Sequence, residues 1–263
     1  MIFCRLLPFH PPYNWDTTIG FLAPRAIPGV EHITAERYRR TVPGGSIDVR
    51  PSDGQPHLLV TFDSQPPADR ADCLVRLARL FDTAAPIGEI ERHLARSRRL
   101  RAAVARHSGL RVPGAWDPFE LAVRAVLGQQ VTVKGASTLA GRLVEKFGRR
   151  TAQGWLFPSP AALAAADIAR IGVPRARAEA LRGVAQAFAS EHPPANADEL
   201  RRLPGIGDWT AQYIAMRAFR EPDAFPATDL GLIRAAGSDV ARQAERWRPW
   251  RAYAAMHLWM EKR

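Results

Sequence analysis

The chain has 263 residues, 46% hydrophobic and 24% charged, with 37 Lys plus Arg against 26 Asp plus Glu, a formal charge of +11. That length supports one large domain or two to three small ones with an ample core, and the charge favours an anionic partner, nucleic acid first. Two cysteines, Cys4 and Cys73, cannot build an iron–sulfur or zinc site unaided, and with no apolar export core and no run of membrane-spanning length a reduced, cytoplasmic protein is expected.

In chain order, "WDTTIGFLAPRA" (15–26) reads as a short helix with an Asp cap. "GSIDVR" (45–50) and "HLLVTFDS" (57–64) read as strands, and "PSDGQP" between them makes a hairpin. "ADRADCLVRLARLFD" (68–82) is an amphipathic helix with Leu74, Leu77, Leu80 and Phe81 on one face. These elements predict an N-terminal α/β domain over residues 1–85.

From Pro86 onward strand signals nearly vanish. "IGEIERHLARSRRLRAAVARH" gives one or two helices. The run "HLARSRRLRAAVARHSGLR" (93–111) carries Arg96, Arg98, Arg99, Arg101, Arg106 and Arg111, which read first as a solvated helix face, with phosphate contact as the alternative. "DPFELAVRAVLGQQVTVKGASTLAGRLVEKFG" begins with Asp117 as cap, Pro118 at the first helical position and Glu120 completing a capping box. "SPAALAAAD" and "PRARAEALRGVAQAFASE" are two more helices, each begun by a proline. The end, "DVARQAERWRPWRAYAAMHLWMEKR", is helix, restart at Pro249, helix. The seven histidines show no ligand spacing, and His257 among apolar residues reads as a core histidine.

"LPGIGD", residues 203–208, sits between the helical stretches "ADELRR" and "WTAQYIAMRAF". This is a short helix–hairpin–helix. Glycines allow positive φ and close approach, and the first amides of the second helix with its dipole suit an anion such as a DNA phosphate. A plain corner between two helices explains the turn equally well. Trp209 and Tyr213, four apart, share a helix face; core packing is the ordinary reading, and a pocket for a flat ring, with Trp259 as a third wall, is the other. Asp229, ahead of the apolar stretch "LGLIRA", reads as an N-cap. A carboxylate there can also face a deoxyribose and stabilise the charge left when a base departs. The two roles are compatible.

"LPGIGDWTAQYIAMRAF", followed by proline and Asp229, resembles the helix–hairpin–helix–Gly/Pro–Asp DNA glycosylases, and within them the alkylation-repair family of DNA-3-methyladenine glycosylase II. "PPYNWDTTIGFLAPRA", "DPFELAVRAVLGQQVT" and "AERWRPWRAYAAMHLWM" extend the likeness over nearly the whole chain. The resemblance implies an α+β architecture: the small N-terminal domain, then a helical core over 86–263. That core divides into a helix–hairpin–helix subdomain (112–221) and a second subdomain made of 86–111 with 222–263.

The resemblance further implies Asp229 as the essential aspartate, and Trp209, Tyr213, Trp259 and Phe21 as the base pocket. Leu203, Pro204, Gly205, Ile206 and Gly207 would hold a phosphate of double-stranded DNA, in this family through a bound monovalent cation, with no other metal or cofactor required. The implied reaction is base flipping and hydrolysis of the bond to an alkylated base, by a monomer. Lyase-competent relatives carry a lysine where this chain has Trp209, so a monofunctional enzyme is expected. Its rivals are a damaged-DNA binder without catalysis and a glycosylase/lyase. Three positions depart from the family pattern. Gln130 stands where an apolar wedge is usual, Thr228 where a relative has a second acid, and Leu230 where it has an aromatic.

Overall fold

The computed structural model describes residues 3–64 and 70–261. Strand β1 (Phe3–Pro8) is followed by helix α1 (Trp15–Leu22), which a 3-10 turn, Ala23–Arg25, extends. The cap of α1 is Asn14, whose side-chain oxygen accepts from the Thr17 amide at 3.0 Å. The expected cap, Asp16, lies inside the first turn, where its charge still meets the positive end of the helix.

Strands β2 (Glu31–Ile33), β3 (Tyr38–Val42), β4 (Gly45–Pro51) and β5 (His57–Ser64) complete an antiparallel sheet of order β1-β5-β4-β3-β2. The expected hairpin is β4–β5, with Ile47 opposite Phe62 and Val49 opposite Val60. These four side chains are buried with Leu58 and Tyr38, as period-two alternation on one face requires. Helix α2 (Arg70–Phe81) packs there: Phe81 meets Tyr38 edge-on at 5.5 Å and Trp15 of α1 at 5.6 Å. Cys73, Leu77, Leu80 and Phe81 are its buried residues, with Leu74 half-buried; the expected positions 68 and 69 lie outside the described residues.

Periodicity misses the other three strands for physical reasons. β1 is an edge strand that buries only Leu7. β2 has three residues. In β3 a core-facing position is Arg40, only 3% exposed, so the strand does not read as apolar alternation.

The remaining chain is helical apart from one small hairpin. Its elements are α3 (Ile87–Leu94), α4 (Arg101–Arg106), α5 (Pro118–Leu127), α6 (Val133–Phe147), the hairpin β6 (Arg149–Thr151) and β7 (Gly154–Leu156), α7 (Pro160–Ala164) and α8 (Arg175–Ala189). Then come α9 (Ala197–Arg201), α10 (Asp208–Ile214), α11 (Leu230–Ala236), α12 (Val240–Ala244) and α13 (Arg251–Met260). A sheet-bearing N-terminal part followed by a helical core is the expected α+β class. Helix α5 is central: every residue from Phe119 to Leu127 except Arg124 is buried, and it packs on α6, α8 and α10.

Asp117 caps α5 as expected, accepting from the Glu120 amide at 3.1 Å. The capping box is not closed, because the Glu120 carboxylate turns to Arg40 of β3 instead. Glu31 and Arg124 join the same buried cluster, and Tyr38 donates to Glu31 at 2.7 Å. Burial pushes the Glu31 carboxyl up, but Arg124 and Arg40 outweigh it and the net direction is down. A buried charge left without its partner costs about 3–5 kcal/mol, so this cluster fixes how the sheet meets α5.

His257 is 1% exposed, and burial, followed by the charge of His107, pushes it down to about 4. It is a core histidine, as its surroundings in the sequence suggested. The arginine run is two helices joined by a turn, and Arg96, Arg98, Arg99, Arg101 and Arg106 are exposed, as a solvated surface requires. Arg111 departs from that reading: it is buried, donating to the carbonyls of Asp82, Ala85 and Pro12.

Candidate active site

The hairpin joins α9 to α10. Asn196 caps α9, accepting from the Glu199 amide at 2.9 Å. Ile206 is buried and Leu203 half-buried, which pins the turn to the core, while Pro204, Gly205 and Gly207 are exposed. Gly205 has φ +82°, and a Cβ there would lie 2.7 Å from the Cβ of Ala180 on α8. Glycine is therefore required twice over, by backbone conformation and by packing. Gly207 is different: its backbone is extended and nothing lies within 4 Å of an added Cβ. Nothing inside the chain demands glycine there.

One turn further on, Trp209 and Tyr213 stack with ring centroids 5.1 Å apart and planes 8° from parallel. Phe21 of α1 stacks on Trp259 of α13 at 6.5 Å and 22°, and Tyr213 meets Trp259 at 6.5 Å. Asp229 closes the group. Its Oδ1 accepts from Trp259 Nε1 at 2.9 Å and from the Leu232 amide at 2.9 Å, and its Oδ2 accepts from Trp209 Nε1 at 2.8 Å. Asp229 is thus the N-cap of α11 and a member of the aromatic cluster at once. All five residues line one cavity of about 430 Å³, in which Asp229 is the only carboxylate among the lining residues.

Three arginines that sequence reasoning did not single out also line it. Arg217 is 2% exposed and donates to the carbonyls of Pro113 and Gly114 at 2.7 and 2.8 Å and to the Tyr213 hydroxyl at 2.6 Å. Burial pushes the Tyr213 phenol up, yet Arg217, Arg25 and Arg124 outweigh it and the net direction is down. Arg25 lies 3.9 Å from the Phe21 ring centroid, and Arg217 stands 4.9 Å from Phe21 and 5.3 Å from Tyr213. Arg124 donates to the Arg25 carbonyl, linking the cavity to the buried cluster of Glu31 and Glu120. The pairs Phe21–Arg25 and Tyr213–Arg217 are each four apart, the one signal that could have found them.

Gly231 is a further missed residue. A Cβ there would meet Asp229 Oδ1 at 2.7 Å and Trp259 Cδ1 at 3.2 Å, so glycine leaves the room in which the carboxylate and the indole meet. Gln130 is exposed, with φ +56°, at the tip of the turn between α5 and α6. It is not among the lining residues; its neighbours Val131, Thr132 and Val133 are. The turn is tied to the hairpin by Gln129, whose Nε2 donates to the Gly205 carbonyl at 2.9 Å and to Thr210 Oγ1 at 3.1 Å. Thr228 and Leu230 are exposed.

Family models match the chain in two stretches, the AlkA N-terminal domain at residues 4–117 and the HhH-GPD superfamily base excision DNA repair protein at residues 123–246. The chain is 35% identical to the DNA-3-methyladenine glycosylase 2 of Escherichia coli, with 96% of this chain and 95% of the relative covered. This chain belongs to the AlkA family of DNA glycosylases. It is also 38% identical to the probable bifunctional transcriptional activator/DNA repair enzyme AlkA of Mycobacterium tuberculosis, over 96% of this chain but only 56% of that relative's length. A 3-methyladenine DNA-glycosylase from Archaeoglobus fulgidus has the same fold, with a TM-score of 0.81 at 20% identity over 97% of each chain. In this chain a helix–hairpin–helix is joined to an aromatic cavity with a carboxylate in its wall.

Proposed function

We propose that the chain is a monofunctional DNA N-glycosylase of base excision repair. It binds double-stranded DNA, turns an alkylated base such as 3-methyladenine or 7-methylguanine out of the stack, and hydrolyses its bond to the sugar. The observation that carries this reading is Asp229, held at the wall of an aromatic cavity by two indole N–H groups and a helix amide. As the glycosidic bond breaks, positive charge develops on the deoxyribose. A fixed carboxylate beside it stabilises that charge and orients a water. The water oxygen bonds to C1′, the electron pair of the broken bond leaves with the base, and the surplus proton passes by way of the carboxylate to solvent. An N-alkylated purine is already cationic, so it departs neutral.

Phe21, Trp209, Tyr213 and Trp259 receive the electron-poor ring on their π faces. Trp209 stands where a lyase needs lysine, so no Schiff base forms. Leu203 to Gly207 would take a phosphate on backbone amides, and a monovalent cation held there with the DNA would offset part of the phosphate's charge. Gln130 fills the gap left by the extruded base. No redox cofactor or other metal takes part, and the enzyme works as a monomer in the cytoplasm, on the nucleoid.

Chromatography of bases released from methylated duplex DNA tests the reading. Wild type should release 3-methyladenine and Asp229→Asn should not, with DNA binding intact. Undiminished release by Asp229→Asn would place the catalyst elsewhere. No release by either protein, with binding intact, would leave a damaged-DNA binder. Borohydride should trap no protein–DNA adduct; an adduct would make the enzyme a lyase.

A further inference from the structure

Arg96, Arg98 and Arg99 lie on the turn between α3 and α4. With Arg246, from the 3-10 turn Glu245–Trp247, they line a groove of about 890 Å³. All four side chains are exposed, and no Asp or Glu is among the residues lining the groove. Among the described residues none of the four has a carboxylate partner, whereas Arg106, Arg242 and Arg248 nearby pair with Glu261, Asp239 and Glu245. Trp247 Nε1 donates to Ser97 Oγ at 3.1 Å, which locks the two turns together and presents the guanidiniums on a fixed frame. His93, also in the lining, has a buried Nε2 without a hydrogen-bond partner.

The groove is separate from the cavity. Ser97 and Trp247 lie beside the start of α13, while Arg106 pairs with Glu261 just past its end, next to Trp259. A helix of 10 residues spans about 15 Å.

We infer that this groove is a second nucleic-acid surface, taking phosphates of duplex DNA away from the base being excised. The inference rests on the reading that this chain works on DNA. Four like charges without a carboxylate raise a local positive potential, and guanidinium forks match phosphate oxygens bidentately. A protein partner would want an apolar or aromatic anchor. Trp247 is only 1% exposed, and the large exposed apolar residues, such as Leu6, Val131 and Leu230, are not among the groove's lining. Phosphate contacts carry no sequence information, so the groove should strengthen the hold on undamaged DNA without altering which base is removed.

The test is the salt dependence of binding to an undamaged duplex, for the full chain and an Arg98→Gln/Arg99→Gln/Arg246→Gln variant. The control is Arg5→Gln/Arg50→Gln/Arg149→Gln, exposed residues of β1, β4 and β6 outside the groove's lining, which removes the same net charge elsewhere. The slope of log K against log salt should fall by about 0.9 for each phosphate no longer neutralised, up to about 2.7 in the groove variant, and by less than about 0.9 in the control. Base release at saturating substrate should stay at the wild-type rate. An unchanged slope in the groove variant, or an equal fall in the control, overturns the inference. So does loss of binding to a polyglutamate peptide with the DNA slope unchanged, which would assign the groove to an acidic protein. Because binding is read on undamaged DNA, a wild type that releases no base while the slope still falls would sink the excision reading and leave the groove standing.

Discussion

The hairpin and the cavity meet at α10 and are made of different material. At residues 203–207 the exposed groups are Pro204, Gly205 and Gly207, and what they offer is backbone: amides at a helix start and a positive φ at Gly205. The cavity offers side chains, drawn from α1, α10, the cap of α11 and α13. A phosphate contact can be coded by five consecutive residues and fails only when the local backbone changes. A pocket needs distant segments in register and fails when any of their supports moves. The two regions should therefore be separable by substitution, and the largest separation lies at Asp229.

Asp229→Asn should lower base release by about 10³-fold, roughly 4 kcal/mol in the barrier. Asparagine is as good an N-cap as aspartate, so α11 should survive and thermal stability should change little. Its amide can accept from only one of the two indoles through Oδ1 and must turn N–H toward the other, which loosens the wall further. Affinity for undamaged duplex, read by anisotropy, should be unchanged. A parallel loss of binding would mean that hairpin and cavity act as one unit.

The next effect is a pH dependence carried by α13, the helix that bears Trp259, and not by the hairpin. His257 sits two residues before Trp259, and its pKa falls from 6.5 to about 4 on burial. Between those values the unfolded chain binds the proton and the folded chain does not. The stability contributed by neutral His257 is therefore complete above pH 6.5 and lost as pH falls toward 4, by up to about 3 kcal/mol. Urea unfolding at pH 7 and pH 5 should show the decline, and His257→Leu should flatten it. An undiminished pH slope in that variant would move the dependence elsewhere.

How far each region was legible follows from the same contrast. The hairpin is local, so "LPGIG" announced itself, and Asp229 could be read from its place at a helix start. The five cavity residues run from Phe21 to Trp259; helical spacing joined Trp209 to Tyr213, with Trp259 and Asp229 set beside them as candidates, but no spacing rule reaches Phe21, and only resemblance to a family added it. What escaped was set by tertiary context. Arg40 hid β3 by standing at a core position, and its partner Glu120 left the expected capping box to reach it. Arg217 looked like any surface arginine four residues past a tyrosine. Gln129 looked like a turn residue, yet it ties the turn bearing Gln130 to the hairpin. Gly231 could be recognised only by what a Cβ would strike.

Within the hairpin the two glycines should part company. Gly205→Ala forces a side chain into positive φ and against Ala180, and should destabilise by about 1–3 kcal/mol. Gly207→Ala has an extended backbone and open space, so the melting temperature should hold. Only its affinity for DNA should drop, because the methyl group would stand where a phosphate approaches. If Gly207→Ala binds undamaged duplex as wild type does, the phosphate does not come that close.

The smallest effect is at Asp208, the first residue of α10. It is half-exposed, and Arg201 Nη1 pairs with it at 3.0 Å. An acid there favours the helix dipole but opposes a phosphate at the amides beside it. The pairing with Arg201 cancels part of that repulsion, and solvent screens the rest. Asp208→Asn should therefore tighten binding to undamaged duplex by only about two- to fivefold at low salt, with the gain fading at higher salt. Base release at saturating DNA should not change, since the cavity residues are untouched. A gain that persists at high salt would mean that the substitution reshaped the hairpin rather than removing a charge.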